Sequence, residues 1–164
     1  MGGNGSYILY ANGGLEGYKG DRFTTVGYIG EGANSVEVVK STAKKRDSMP
    51  VNSFSSDMYY VTDVDNPNRI TKICFYDKKN HLIKKEIELQ YDSHGNLKPY
   101  TVTERKGKLH TSGLHCHNWF EKDHPTKGKI AWRTEHDKNN IFEVSKADMK
   151  YVRRALKYNE EHKK

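Results

Sequence analysis

The fold is decided by residues 70–89, ITKICFYDKKNHLIKKEIEL. Ile70–Tyr76 is rich in β-branched and aromatic residues, which is typical of a strand. Asp77–Asn80 consists of residues that favour turns. Leu82–Leu89 predicts a second strand, and its imperfect alternation of apolar and polar residues favours a β-bulge. Two strands that are joined by so short a turn are expected to be antiparallel.

Strand-forming segments on both sides extend this pair into an antiparallel meander. Ser35–Lys40 and Met58–Thr62 predict strands before it. Pro99–Thr103 and Lys108–His110 predict a hairpin after it, around Lys106-Gly107. At the C-terminus, Ser145 begins a segment in which apolar residues recur at helical spacing. The sequence therefore predicts an α+β fold: a single antiparallel β-meander packed by a C-terminal helix.

Glycine separates the N-terminal part of the chain from the rest. Ten of the fourteen glycines lie in residues 1–32. Tyr7–Tyr10 and Thr24–Ile29 predict short strands between turn-forming residues. We expect residues 1–34 to be a glycine-rich arm or hairpin, loosely attached to an α+β domain formed by residues 35–164.

Composition limits the classes of function. The chain has 164 residues, only 34% of them hydrophobic, and a formal net charge of +7. This charge favours polyanionic partners: RNA, DNA or an acidic protein. Two cysteines are too few for a disulfide framework, and no membrane span or signal peptide is visible, so we expect a cytoplasmic protein. The sequence contains no P-loop, GxGxxG, HExxH or GxSxG motif. We therefore do not expect nucleotide-dependent chemistry.

The strongest candidate for chemistry is the segment HTSGLHCHNW, residues 110–119. Five of the eight histidines lie between His94 and His124. On a strand, residues two apart share a face, so His115 and His117 face one site while Cys116 points away. Imidazole exchanges protons near neutral pH and also binds metals. Together with the net positive charge, this pattern indicates that the protein binds or cleaves a phosphodiester.

Three stretches, in order along the chain, are similar to a known family. They are KRDSMP at residues 45–50, followed by Ser53, Ser56 and Tyr59-Tyr60-Val61; residues 70–89 with their central Phe75-Tyr76-Asp77; and LHCHNW at residues 114–119. Together they resemble a C-terminal domain of phage minor head proteins and of some bacterial polymorphic toxins of Firmicutes. The resemblance covers roughly residues 36–160, as a pattern and not as close identity.

The resemblance implies a small toxin built of a sheet and a helix, similar in style to compact ribonucleases. It implies that His115 and His117 occupy the family's His-x-His positions and that Glu88 stands at its acidic strand position. Leu114 replaces the family's proline before the first histidine. Residues 90–92, Gln-Tyr-Asp, stand where the family has a histidine. With these departures, a descendant that only binds remains an alternative.

The leading hypothesis is a metal-independent endoribonuclease without a cofactor. RNA supplies its own nucleophile, the 2′-hydroxyl, and general acid–base groups contribute about 10²–10⁴-fold to the rate. His115 and His117 are the candidate base and acid, and His110 is a third candidate. A cation stabilises the charged phosphorane. The candidate phosphate-binding residues are Arg105, Lys106, Lys108 and Arg133, with Thr111 or Ser112 as hydrogen-bond donors.

Two alternatives stay open. The first is a metal-dependent nuclease, either of HNH type with Glu135-His136-Asp137 supplying the second histidine, or with a metal held by the residues near the His-x-His pair. Those ligand candidates are His115, Cys116, His117, Asp123 and His124. The second alternative is a non-enzymatic phage protein that binds nucleic acid or inhibits host defence. A toxin would also have an immunity protein or a host target as its partner.

Overall fold

The computed structural model describes residues 6–10, 23–41, 56–125, 128–134 and 140–163. Within these ranges the chain forms eleven β-strands and one α-helix. They are β1 (Ser6–Tyr10), β2 (Phe23–Ile29), β3 (Val36–Ser41), β4 (Met58–Thr62), β5 (Ile70–Tyr76), β6 (Ile83–Glu88), β7 (Thr101–Arg105), β8 (Lys108–Ser112), β9 (His115–Asn118), β10 (Phe120–His124), β11 (Gly128–Thr134) and α1 (Met149–Glu161). The predicted α+β class is confirmed.

Six strands form the central sheet, in the order β2-β3-β4-β5-β6-β9. The predicted hairpin of residues 70–89 forms its middle as β5 and β6, and the register shifts between Phe75 and Tyr76, which confirms the predicted bulge. The sheet is not a single antiparallel meander, because β3 and β4 run parallel. A parallel pair needs a connection of a dozen or more residues, and residues 42–57 are long enough to provide it.

The segments after β6 also depart from a meander. Strands β7 and β8 form the predicted hairpin as a separate two-stranded ribbon, and β9 then returns to pair with β6. Strands β10 and β11, which the sequence analysis did not predict, pair with β1 in a third sheet. This β9 return is the pairing that brings the His-x-His segment beside Glu88.

Part of the predicted arm belongs to these sheets. Strand β2 pairs with β3 in the central sheet, and β1 pairs with β11. The expected boundary near residue 34 therefore falls between two neighbouring strands of one sheet. Residues 1–5 and 11–22 lie outside the described residues, and the glycine-rich arm over them stays a prediction.

The central sheet separates two clusters of buried side chains. Helix α1 packs on one face, where Val152 and Ala155 are fully buried against strand residues such as Ile73 and Ile87. The opposite face carries Tyr59, Val61, Cys74, Tyr76 and Trp119, together with Ala131 of β11. No helix among the described residues is long and apolar enough to cross a membrane.

Candidate metal centre

The pairing of three strands brings the polar residues of the candidate site onto one face of the central sheet. Glu88 of β6 lies opposite His115 of β9, and Glu86 lies opposite His117. Lys72 of β5 lies opposite Glu88 on the other side of β6. Because cross-strand partners point to the same face, all five side chains meet at the β9 end of the sheet.

The predicted orientation of the His-x-His segment is confirmed. His115 and His117 are both buried, and their rings meet edge to face with centroids 4.7 Å apart. Cys116 belongs to the other core cluster, beneath helix α1. The alternation of side chains along β9 explains this separation. Cys116 is therefore not a ligand beside the two histidines, although one of the sequence-based alternatives included it as a candidate.

Each histidine ring is held by a main-chain carbonyl. His115 Nδ1 lies 2.7 Å from the oxygen of Gly113, and His117 Nδ1 lies 2.9 Å from the oxygen of Asn140. A carbonyl oxygen only accepts hydrogen bonds, so both Nδ1 atoms carry a proton and donate it. In a neutral ring the other nitrogen, Nε2, then carries a lone pair. This is how metal-ligating histidines are commonly oriented in proteins.

The two Nε2 atoms and one carboxylate oxygen converge. The Nε2 atoms of His115 and His117 are 3.0 Å apart, and Glu88 Oε2 lies 2.8 Å from the first and 3.6 Å from the second. Two lone pairs and an anionic oxygen repel one another at these distances. Such a group needs a positive charge among its three atoms, either a proton or a metal ion.

The spacing of the three atoms fits a metal ion. Zinc binds histidine nitrogen and carboxylate oxygen at about 2.0–2.2 Å, so neighbouring ligands of a tetrahedral or octahedral ion lie about 2.9–3.5 Å apart. The observed separations of 2.8, 3.0 and 3.6 Å fall within about 0.1 Å of that range. Among the described residues, Glu88, His115 and His117 are the one group of three potential ligands with this proximity.

A buried ionic network holds the other oxygen of Glu88. Lys72 Nζ lies 3.3 Å from Glu88 Oε1 and 3.3 Å from Glu86 Oε2. Trp119 Nε1 donates to Glu86 Oε1 at 2.9 Å. Lys72 and Glu86 are buried, with side chains 6% and 0% exposed. With neutral histidines, two carboxylates and one ammonium give the group a formal charge of −1, which favours a cation.

The pKa values of the group reflect the same charges. Burial raises the pKa of Glu88, but the charge of Lys72 and the adjacent rings of His115 and His117 bring it well below its ordinary value. Burial lowers the pKa of His115, but its hydrogen bond to Glu88 and the charge of that carboxylate outweigh burial and raise it. Both directions favour a protonated His115 beside an ionised Glu88 in the absence of a metal.

The two rings lie closer together than the predicted acid–base mechanism places its base and its acid. In-line displacement at phosphorus places the attacking and leaving oxygens on opposite sides. A base and an acid must each lie about 2.6–3.2 Å from one of those oxygens, so they stand well apart. The Nε2 atoms of His115 and His117 are only 3.0 Å from each other. In-line cleavage by this pair would require the two rings to move apart.

The other predicted site residues lie elsewhere. His110 is exposed on β8, outside the buried pair. The ribbon also carries most of the predicted phosphate-binding residues: Arg105, Lys106, Lys108, Thr111 and Ser112. Arg133 belongs to β11, opposite Tyr7 in register. Asp123 and His124 belong to β10, away from the β6–β9 pair, and Glu135-His136-Asp137 lies outside the described residues.

Sequence analysis missed Lys72, Glu86 and Trp119 as parts of the site. In the sequence, Lys72 and Glu86 are ordinary polar residues of alternating strands, which usually face solvent. The one available signal was their phase, because Lys72, Cys74 and Tyr76 share a face whose other members are apolar. Glu88 was singled out only through the family resemblance, and the structure places it within the centre.

No family model, curated protein or solved structure gives a significant match to this chain. The resemblance to phage and toxin domains therefore stays a prediction, and the site is interpreted from its own geometry.

Proposed function

We propose that this protein is a divalent-metal-dependent nuclease that cleaves phosphodiester bonds in RNA, with Glu88, His115 and His117 as the metal ligands. One observation carries the proposal: two Nε2 atoms and one carboxylate oxygen converge on a common point, with both Nδ1 atoms bonded to carbonyls. Three protein ligands leave at least one coordination position for water or substrate, as in catalytic rather than structural zinc sites.

A divalent ion at this position supplies the chemistry that the two histidines alone do not. It lowers the pKa of bound water and stabilises charge on phosphoryl oxygens. Glu88 remains ionised through Lys72, and main-chain carbonyls keep the histidines in the tautomer that binds metal. This replaces the expectation of metal-free acid–base catalysis. The predicted nuclease class is retained on the strength of the net charge of +7.

RNA remains the proposed substrate, and a small toxin of phage or bacterial origin remains the proposed biological class. The net positive charge supports a nucleic-acid substrate. The resemblance in residues 45–50, 70–89 and 114–119 supports the toxin class and, with it, an immunity protein as a partner. Neither argument depends on which metal ion the centre would bind.

The test is cleavage of total RNA and of DNA by purified protein in EDTA, and then with Mn²⁺, Zn²⁺ or Mg²⁺. We expect RNA cleavage only after a metal is added. His117→Gln removes a ligand and should abolish cleavage, while His94→Gln, in an exposed turn away from the centre and the ribbon, serves as the matched control. Cleavage in EDTA would instead support metal-free catalysis. Cleavage of neither nucleic acid under any condition would favour the non-enzymatic binding protein.

A further inference from the structure

The β7–β8 ribbon has two chemically different faces. Its register places Thr103 opposite His110 and Arg105 opposite Lys108. Because cross-strand partners share a face and neighbours along a strand alternate, the ribbon's residues divide into two sets. The first set, called here the polar face, is Thr101, Thr103, Arg105, Lys108, His110 and Ser112. The opposite face carries Val102, Glu104, Leu109 and Thr111.

Positive charge is concentrated on the polar face. Arg105 and Lys108 form its end nearest the turn, and His110 follows them along β8. The ribbon's carboxylate, Glu104, lies on the opposite face, as do the exposed apolar residues Val102 and Leu109. Residues 101–110 are all exposed. The polar face is therefore open to a polyanion, and the ribbon's own carboxylate lies on the other side.

The ribbon is fixed directly to the proposed metal centre. Strand β8 continues through Gly113 into β9, and the Gly113 carbonyl accepts the hydrogen bond from His115 Nδ1. The Gly113 nitrogen donates to Gln90 Oε1 at 2.8 Å, and the Leu114 nitrogen donates to the oxygen of Lys98 at 2.9 Å. These bonds anchor the base of the ribbon immediately before the first histidine ligand.

From these observations we infer that the polar face, which is joined to the centre through Gly113, binds the ribose-phosphate backbone of single-stranded RNA. The inference deepens the proposed function and rests on it for the identity of the substrate. Arg105 and Lys108 contact phosphates, which position the strand without selecting its sequence. Arg105 and Lys108, which were expected to hold the scissile phosphate, thus act on neighbouring phosphates instead.

Hydroxyl groups on the polar face favour RNA over DNA. Thr101 Oγ1 and Thr103 Oγ1 donate to the carbonyls of Ser112 and His110, at 3.4 and 3.5 Å. Their remaining lone pairs are acceptors for a ribose 2′-hydroxyl, the group that distinguishes RNA from DNA. Phe, Tyr and Trp are absent from residues 101–112, so His110 and Arg105 are the side chains of the polar face on which a base could stack.

The inference is tested by binding without cleavage. A fluorescein-labelled twelve-nucleotide oligouridylate is titrated with protein in EDTA, and anisotropy gives Kd as a function of salt concentration. The double variant Arg105→Gln/Lys108→Gln removes two cations from the polar face. Its matched control, Arg153→Gln/Lys157→Gln, removes two exposed cations from α1. The same titration with oligodeoxyuridylate measures the preference for RNA.

Each phosphate contact on a single strand contributes about 0.7 to the slope of log K against log salt. We expect the ribbon variant to lose about 1.4 from that slope and to bind roughly 25-fold more weakly at 0.1 M salt. The α1 variant should bind within about twofold of wild type, since it loses equal charge but no contact.

Three results would overturn the inference: wild-type affinity in the ribbon variant, equal loss in the α1 variant, or equal affinity for the deoxy oligonucleotide. Because binding is measured in EDTA, these outcomes are independent of the metal. Metal-dependent cleavage with unchanged affinity in the ribbon variant would leave the proposed function intact and remove the polar face from it. RNA binding that depends on the ribbon, without cleavage under any metal, would support the polar face and contradict the proposed function.

Discussion

Lys72 binds one carboxylate oxygen of Glu88 and leaves the other to the histidines. The ammonium lies 3.3 Å from Oε1, while Oε2 lies 2.8 Å from His115 Nε2. Glu88 is thereby divided between a buried ionic network and the proposed metal position. The division keeps Glu88 ionised and presents a single oxygen, so the carboxylate would bind a metal through one atom.

Removing Lys72 should be costly to folding. Lys72→Met fills a similar volume but leaves Glu86, which is fully buried, without its 3.3 Å ammonium partner. Breaking a buried ion pair from one side typically costs about 3–5 kcal/mol of the free energy of unfolding. Urea unfolding followed by circular dichroism measures this loss.

The double variant Lys72→Met/Glu86→Gln is the control for that prediction. Replacing the carboxylate by a neutral amide removes the uncompensated charge, and the oxygen of that amide can still accept the hydrogen bond from Trp119. We expect the double variant to be more stable than Lys72→Met alone. The two residues are not coupled if the loss of unfolding free energy in the double variant equals the sum of the losses in Lys72→Met and Glu86→Gln.

Metal binding should stabilise the fold. An ion that binds only the native state adds about 2.7 kcal/mol at one hundred times its Kd, which corresponds to a rise in Tm of about 5–10 °C for a chain of this size. Thermal unfolding with and without Zn²⁺ or Mn²⁺ measures this rise in wild type and in Glu88→Gln and His117→Gln.

The two ligand variants should lose most of that rise in Tm, and isothermal titration of wild type should give one ion per chain. His110→Gln keeps all three ligands and should respond as wild type does. An equal rise in Tm in His117→Gln would place the ion elsewhere and contradict the proposed centre.

Gly113 should tolerate no side chain. Its φ is +85°, and a Cβ atom would lie 1.9 Å from the oxygen of Pro99. Gly113→Ala should cost more than about 3 kcal/mol, because the left-handed backbone and the clash add together. Gly107, at the ribbon's turn, has φ +76° and nothing within 4 Å of its Cβ position. Gly107→Ala should therefore cost only about 1 kcal/mol, and chemical denaturation of both variants compares the two.

The metal-free protein should lose stability as the pH rises past neutrality. Glu88 raises the pKa of His115 above its ordinary value of about 6.5, within a group that also contains Glu86, Lys72 and His117. A raised folded-state pKa adds stability that is complete below the unfolded pKa and disappears as the pH passes the folded pKa. Urea unfolding in EDTA from pH 5.5 to 9 measures the change.

His115→Gln carries no titrating ring at that position and is the control for the pH series. We expect its free energy of unfolding to change less than that of wild type above pH 6.5. Identical pH profiles for the two proteins would mean that the proton near Glu88 does not contribute to stability. The carboxylate acts at the other end of the scale, because the lowered pKa of Glu88 gives stability that is lost only as the pH falls through that value.

Local sequence patterns account for much of the fold. The β5–β6 hairpin, its bulge, the ribbon and a C-terminal helix are all determined by neighbouring residues, and each was predicted. The helix begins at Met149, later than the predicted Ser145, whose hydroxyl accepts from the Asp148 nitrogen at 3.2 Å. The parallel β3–β4 pair was not predicted, because strand direction across residues 42–57 depends on contacts that no local pattern contains.

The candidate site, too, was predictable only where it follows from a local sequence pattern. The shared orientation of His115 and His117 follows from the two-residue period of a strand and was predicted. Their 3.0 Å approach was not, because it depends on where Gly113 and Asn140 place two carbonyl oxygens. Arg105, Lys106 and Lys108 were assigned to phosphate binding from charge alone, and nothing in the sequence separates the scissile phosphate from its neighbours.

The pairing of β9 with β6 also makes the chemistry depend on register. A slip of one residue reverses the face of every side chain, and Cys116 would then stand where the two histidines should be. Two features outside the centre fix the register: the Cys116–Phe142 bridge, and the side chain of Asn140, which bonds to both the nitrogen and the oxygen of Asn118. A chain with β9 misaligned could retain much of its core and still lack a centre. The contacts of residues 140–142 with β9 thus hold the register in which the centre can form.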